Sequence, residues 1–337
     1  MNKVFFGKTP CGNDVYSYTI SDGLAEAKIM TYGATILSFK PFNGIDVIAG
    51  FDSFEDYLKD TSNQGAIVGR VANRIADACI EIEGKQYHLT NNNNGNCLHS
   101  GIGFQHRLWK MDEYSTNSVV LSYFSQDGED GFPGNLSVRV KYTVLNSSLY
   151  IEYTAVSDAT TPIALTNHAY FNLNGLGEDI RSHKLKIYAN TYTEVNEKLI
   201  PNGNHPSVHL TTMDFREMRS IDKDYDSFEG YDINMVLSPV IYKTFNNTEL
   251  GLVAVAEGNN ILMNVYTDQP GVQFYTGNFL GKGPNFRGNI PQIKYGAFCL
   301  ETQTEPNCVK HGQGIYNAGE VYKHFTVYEF KRAKGII

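Results

Sequence analysis

The chain has 337 residues, a formal net charge of -8 and a pI near 5.6. That acidic balance, with no cluster of Lys and Arg, argues against nucleic-acid phosphates and anionic membrane surfaces as partners. A hydrophobic share of 42% is enough for a sizeable core, and no apolar run reaches the length of a membrane span.

The N-terminal stretch Met1-Asn2-Lys3-Val4-Phe5-Phe6-Gly7 lacks the apolar core of a secretory leader, so a cytoplasmic location is expected. Five scattered cysteines, Cys11, Cys79, Cys97, Cys299 and Cys308, have no paired-ligand spacing and read as reduced thiols. Asp52-Ser53 predicts the cap of a short helix through Tyr57 and Leu58. Ile80 and Ile82, then Tyr87 and Leu89, flank Glu83-Gly84-Lys85 as a hairpin. The polar run Asn91 to Asn94 reads as a loop leading into Cys97-Leu98-His99. A strand is predicted over 119–124. Val138, Val140, Tyr142 and Val144, then Leu149, Ile151, Tyr153 and Ala155, form a second hairpin about Asn146-Ser147-Ser148. The sequons at Asn135 and Asn146 are read as loop chemistry. Further strands are predicted over 184–190, 251–257, 260–266, 271–277, 296–303 and 323–331. Many strands, little helix, 22 Tyr and 19 Phe among 31 Gly point to an all-β protein, a large antiparallel sandwich with few short helices. No linker, charge block or repeat divides it, so one domain over 1–337 is expected.

Three polar clusters hold candidate chemistry. In Gly69-Arg70-Val71-Ala72-Asn73-Arg74-Ile75 the arginines and Asn73 read either as hydroxyl- or oxyanion-binding groups or as solvated side chains at a strand end; no phosphate-loop pattern is present. Asn96-Cys97-Leu98-His99-Ser100-Gly101 places a His after an apolar residue, a pattern more often met in structural histidines than in catalytic ones. In Thr166-Asn167-His168-Ala169-Tyr170-Phe171-Asn172, a strand conformation would put His168, Tyr170 and Asn172 on one face. Near the C-terminus, Phe298-Cys299-Leu300-Glu301-Thr302-Gln303 sets a carboxylate in an apolar strand, with Cys299 and Gln303 on its face. Burying a carboxylate there is costly unless it is hydrogen-bonded or has work to do, and burial raises its pKa toward the range useful for proton transfer.

Taken in order, these segments resemble the aldose 1-epimerases, or galactose mutarotases, over essentially the whole chain. The likeness rests on Gly69 to Ile75, Leu98-His99, Thr166 to Leu173, Leu210 to Arg216, Gly230-Tyr231-Asp232, Gln269 to Phe279 and Cys299 to Gln303. The resemblance implies a galactose mutarotase-like β-supersandwich with an open sugar cleft. It implies Glu301 as general base and His168 as general acid, with Asn73, Arg74, His99, Asp232 and Gln273 binding the sugar. It also implies a free monosaccharide as substrate, no cofactor or metal, and a monomer or homodimer. The chemistry fits those residue types: removing the C1 hydroxyl proton while protonating the ring oxygen opens the hemiacetal, and the two groups reverse roles on closure. Tyr170 and Phe279 are candidates to pack on the pyranose.

The chain departs from the family pattern twice. Ser100 follows His99 where the family often has Gly, and Ile233 follows Asp232 where it commonly has His. Three other readings remain open to sequence. A glycoside hydrolase would use Glu301 with Asp232 as its carboxylate pair. A non-catalytic sugar-binding or sensor protein would keep only the scaffold. A metal hydrolase would use His99 and His168.

Overall fold

The computed structural model describes residues 2–42, 44–222 and 229–333; the first residue and the last four of the expected 1–337 unit lie outside them. Pairing among the described strands is antiparallel, apart from one isolated parallel bridge between Val71 and Ala164. The largest sheet has ten strands. Its path runs Lys110–Tyr114, Ser118–Ser125, Leu136–Leu145, Ser148–Ser157, Val321–Arg332, Ile261–Thr267, Thr248–Gly258, Lys184–Ile187 and Arg219–Ser220, with Tyr242–Phe245 also pairing on Thr248–Gly258. A four-stranded sheet holds Lys3–Lys8, Asp14–Ser21, Glu26–Met30 and Ile36–Lys40. A second four-stranded sheet holds Ala189–Tyr192, Asp232–Leu237, Gly271–Tyr275 and Cys299–Gln303.

The predicted hairpins form because the turns supply left-handed backbone. Asn146 and Ser147 sit at φ 52° and 57°, and Glu83-Gly84 turns the shorter hairpin with φ 53° and 77°. Such turns match the right-handed twist of the strands they join. Helix Phe54–Lys59 is the one α-helix among the described residues, and the Ser53 side chain accepts from the Asp56 N–H as its cap.

One core joins the sheets. Val140, Tyr142, Ile151 and Val265 of the large sheet, Ile20, Ala27 and Ile29 of the first small sheet, and Ile233, Met235, Val272, Phe274 and Leu300 of the second are buried in one cluster. Period-two alternation then fixes the opposite face of the second small sheet. With Ile233, Val272, Phe274 and Leu300 committed to the core, Asp232, Gln273, Tyr275, Cys299 and Glu301 point the other way.

The predicted strand 184–190 is two strands. Lys184–Ile187 belongs to the large sheet and Ala189–Tyr192 to the second small sheet, the chain changing sheets at Tyr188. The Tyr188 N–H bonds Val253 O on one side, and its carbonyl accepts from Ser238 N on the other. Such corners let one strand serve both layers of a sandwich. The strand predicted from 296 starts at Cys299, because Phe298 is occupied in a bridge to Phe171.

Candidate active site

The cleft is built where three antiparallel pairings meet. Gln273 pairs with Asn234 on one side and Glu301 on the other. Thr166–Asn167 pairs with Ile67–Val68, delivering His168 beside that row. Arg74-Ile75 pairs with Cys97-Leu98, bringing Asn73, Arg74 and His99 to the facing wall. Asn73, Arg74, His99, His168, Asp232, Gln273 and Glu301 therefore line one pocket, together with Asn63, Asn93, Tyr170, Tyr275 and Phe279.

Glu301 is 3% exposed and His168 7% exposed, and the His168 Nε2 lies 3.8 Å from Glu301 Oε1. That spacing is an ion-pair distance and too long for a hydrogen bond. Glu301 Oε2 and Gln273 Oε1 are buried with no hydrogen-bond partner among the described residues. The Gln273 amide is oriented by donating to Asp232 Oδ1 at 2.7 Å.

The two histidines differ in what holds them. His99 Nδ1 accepts from the Asn73 backbone N–H at 3.2 Å. The neutral ring therefore carries its proton on Nε2. Burial, then His168 and Arg74, push the His99 pKa well below its ordinary value, so it stays a neutral donor. His168 is stacked on Tyr170, ring centroids 5.0 Å apart at 17°, and its Nδ1 meets Cys299 Sγ at 3.5 Å. Burial lowers its pKa to about 4, an effect its own backbone carbonyl partly opposes. Burial, reinforced by the Asp232 carboxylate and opposed by Arg74, raises the Glu301 pKa well above the usual carboxylate range. Burial therefore works against the charged form of both groups. Transfer of one proton from Glu301 to His168 would leave a carboxylate facing an imidazolium.

A family model for aldose 1-epimerase matches residues 16–329. The chain belongs to the aldose 1-epimerase family. It is 39% identical to the galactose mutarotase of Bos taurus over 345 aligned residues, covering 99% of each chain, and 38% identical to that of Homo sapiens over the same span. The aldose 1-epimerase of Escherichia coli K12 is 34% identical over 90% of this chain and 91% of its own. Among solved structures, a galactose 1-epimerase from Lactobacillus acidophilus superposes with a TM-score of 0.85 at 27% identity, covering 98% of each chain. An aldose epimerase homologue from C. elegans gives 0.85 at 28%, over 94% of this chain and all of the other.

Both departures of this aldose 1-epimerase family member from the family pattern have structural explanations. Ile233 lies on the core side of its strand, buried in the same cluster as Phe215, Tyr231 and Phe274, and so faces away from the cleft that Asp232 enters. Ser100 is buried and sits at φ 61°. Its hydroxyl accepts from Val71 N at 2.8 Å and donates to Val71 O at 3.0 Å, tying the His99 loop to the Asn73–Arg74 segment instead of reaching the cleft.

Two readings of the sequence need correction. Arg70 is neither solvated nor in the cleft. It is 2% exposed and donates to Ser125 Oγ, Thr161 Oγ1 and the carbonyls of Pro133, Gln126 and Gly134, making it a structural cation that gathers loops. Asn172 does not share the cleft with His168 and Tyr170, because the strand ends at Asn167. The Asn172 side chain instead bonds Glu178 O and Gly296 O. Among the described residues, the set of three metal-type donor atoms within 4.8 Å of one another is His168, Cys299 and Glu301, which does not include His99.

Asn93 and Tyr275 escaped the sequence reading. Asn93 Oδ1 accepts from Arg74 Nε at 3.1 Å and aims the guanidinium. The polar run Asn91 to Asn94 was its signal, since a loop that rich in side-chain amides is equipped to hold neighbouring chains. Tyr275 meets the edge of His168 at 6.4 Å and of Tyr170 at 6.0 Å, visible in sequence only as one aromatic among many.

Proposed function

We propose that the protein interconverts the α and β anomers of free aldohexoses such as galactose and glucose, with Glu301 as base at the C1 hydroxyl and His168 as acid at the ring oxygen. The observation that carries this reading is the buried Glu301–His168 pair, 3.8 Å apart, with Glu301 Oε2 unpartnered. Sugar hydroxyls bound between the two groups supply the hydrogen bonds that the protein leaves unmade. Glu301 takes the C1 hydroxyl proton while His168 Nε2–H gives its proton to the ring oxygen, and the hemiacetal C1–O5 bond opens. After rotation about C1–C2, Glu301 returns a proton to O1 and His168 recovers one from the C5 hydroxyl as the ring closes on the other aldehyde face. Acid and base catalysis each contribute about 10²- to 10⁴-fold.

His99, held neutral with Nε2–H outward, and Arg74, aimed by Asn93, donate to the ring oxygen as charge develops there. Asp232 and Gln273 receive and orient hydroxyls, and Tyr170, Tyr275 and Phe279 offer apolar faces at the cleft. An imidazole faces Glu301, and Asp232 is engaged with Gln273, so the carboxylate pair of a glycoside hydrolase is not the favoured reading.

The test is polarimetry. Freshly dissolved α-D-galactose should lose its optical rotation faster with protein than in buffer. A wild type no faster than buffer on both galactose and glucose would remove the assignment. Equal rates in wild type and Glu301→Gln would remove the base role alone.

A further inference from the structure

His168 needs more than burial to act as an acid, because its ring must present Nε2, and not Nδ1, to the sugar. The group at its far nitrogen decides this. In many catalytic histidines that partner is a carboxylate, which holds the Nδ1 proton and also makes the imidazole more basic. Here the nearest side-chain partner is the Cys299 sulfur at 3.5 Å, within hydrogen-bond distance for sulfur. Cys299 is two residues before Glu301 on the same strand, and alternation turns both toward His168. The two side chains thus meet opposite nitrogens of one ring, Sγ at Nδ1 and Oε1 at Nε2. That ring is stacked on Tyr170 and set edge to face with Tyr275.

We propose that Cys299 is a positioning residue for the mutarotase reaction, its thiol sulfur accepting the His168 Nδ1–H so that Nε2 remains the nitrogen that exchanges protons with the ring oxygen. The inference rests on the proposed acid role of His168. Loss of Nε2–H from the imidazolium leaves the neutral ring protonated at Nδ1. The partner at Nδ1 must therefore accept a hydrogen bond in both states of the cycle. A thiol sulfur does so weakly and without charge. Cys299 is fully buried, and burial raises its pKa well above the ordinary thiol value, so it stays a neutral thiol beside the pair. An uncharged acceptor orients the ring without making it more basic. It leaves His168 a strong acid, as protonation of a weakly basic ether oxygen requires. A carboxylate at this position would add a second negative charge beside Glu301 and weaken the acid.

The experiment combines ¹⁵N NMR of the imidazoles with polarimetric kinetics on the full chain. In the wild type above the pKa of His168, the His168 ring, identified by loss of its signals in His168→Asn, is expected to carry its proton on Nδ1. An Nε2–H tautomer would overturn the proposal without any cysteine variant. Cys299→Ala is expected to lower kcat about tenfold with KM within about twofold, and Cys299→Ser to recover part of that loss through its own acceptor oxygen. An alanine variant with wild-type kcat, or a serine variant no better than alanine at matched thermal stability, would overturn it. If the alanine variant does not fold, the tautomer and the kcat of the serine variant decide. A wild type without mutarotase activity would instead defeat the functional reading itself, so the two failures are separable.

Discussion

The Asn73 backbone N–H donates to His99 Nδ1 at 3.2 Å, and this one bond separates the roles of two histidines whose rings meet edge to face 5.5 Å apart. It commits His99 to a neutral ring with Nε2–H outward. His168 is not held in this way, its Nδ1 meeting the Cys299 thiol instead.

Glu301→Gln should lower kcat by about 10²-fold or more, measured by polarimetry, while raising stability at neutral pH. The sign follows from linkage. A carboxyl whose folded pKa is raised binds more protons in the native state than in the unfolded chain, so its contribution falls as pH rises above the unfolded value of 4.5 toward the folded one. The amide removes that penalty. Thermal unfolding at pH 7.5 should show the variant melting higher, and a lower midpoint would contradict the buried, raised carboxyl.

His168, His183 and His324 are all buried, and burial brings each pKa down to about 4 from 6.5. Here the unfolded chain binds the extra proton, so stability is fully present above pH 6.5 and is lost as pH falls toward 4. Each group accounts for about 3 kcal/mol of that loss. Urea titrations at pH 7.5, 6, 5 and 4.5 should show a steep decline. Replacing His183 by Gln should make it shallower.

Arg70 and Arg74 stand four residues apart and should fail in different ways. Arg70→Met leaves the carbonyls of Pro133 and Gly134 without their donor and should cost about 3 kcal/mol or more of stability, seen in chemical denaturation. Arg74→Ala should unfold near the wild-type midpoint while kcat/KM falls about 10²-fold. Exchange of these two phenotypes would contradict the assignments.

At position 100 the structure predicts an unusual ranking. Ser100→Ala loses both bonds to Val71 yet keeps a side chain at positive φ, and should cost about 2 kcal/mol. Ser100→Gly also loses the bonds but relieves the left-handed backbone. Glycine should therefore be the milder change by thermal melting, with KM for galactose little altered in both variants.

The hairpins about Glu83-Gly84 and Asn146-Ser147, the helix cap at Ser53 and most strands of the large sheet were legible because alternation and turn chemistry are local signals. The four strands of the first small sheet were not singled out, and 184–190 was read as one strand, since a change of sheet at Tyr188 leaves the local alternation intact. Glu301 was conspicuous as a carboxylate in an apolar strand. His168 was one of nine histidines, and only the resemblance to a family distinguished it.

What the sequence determined by itself was the all-β class, most strands of the large sheet with their apolar faces, and the family. Tertiary structure decided which polar residues share a cleft. Asn73, His99, His168, Asp232, Gln273 and Glu301 are far apart in the chain and meet because separate antiparallel pairings converge on one sheet face. The same long-range packing sends Arg70 into the loops around Ser125 and leaves Arg74 in the cleft, and it turns Ile233 to the core and Asp232 to the cleft. Burial and the neighbours at each ring nitrogen exist only in the folded chain. They set the proton inventory of the Glu301–His168 pair, which composition and spacing leave undetermined.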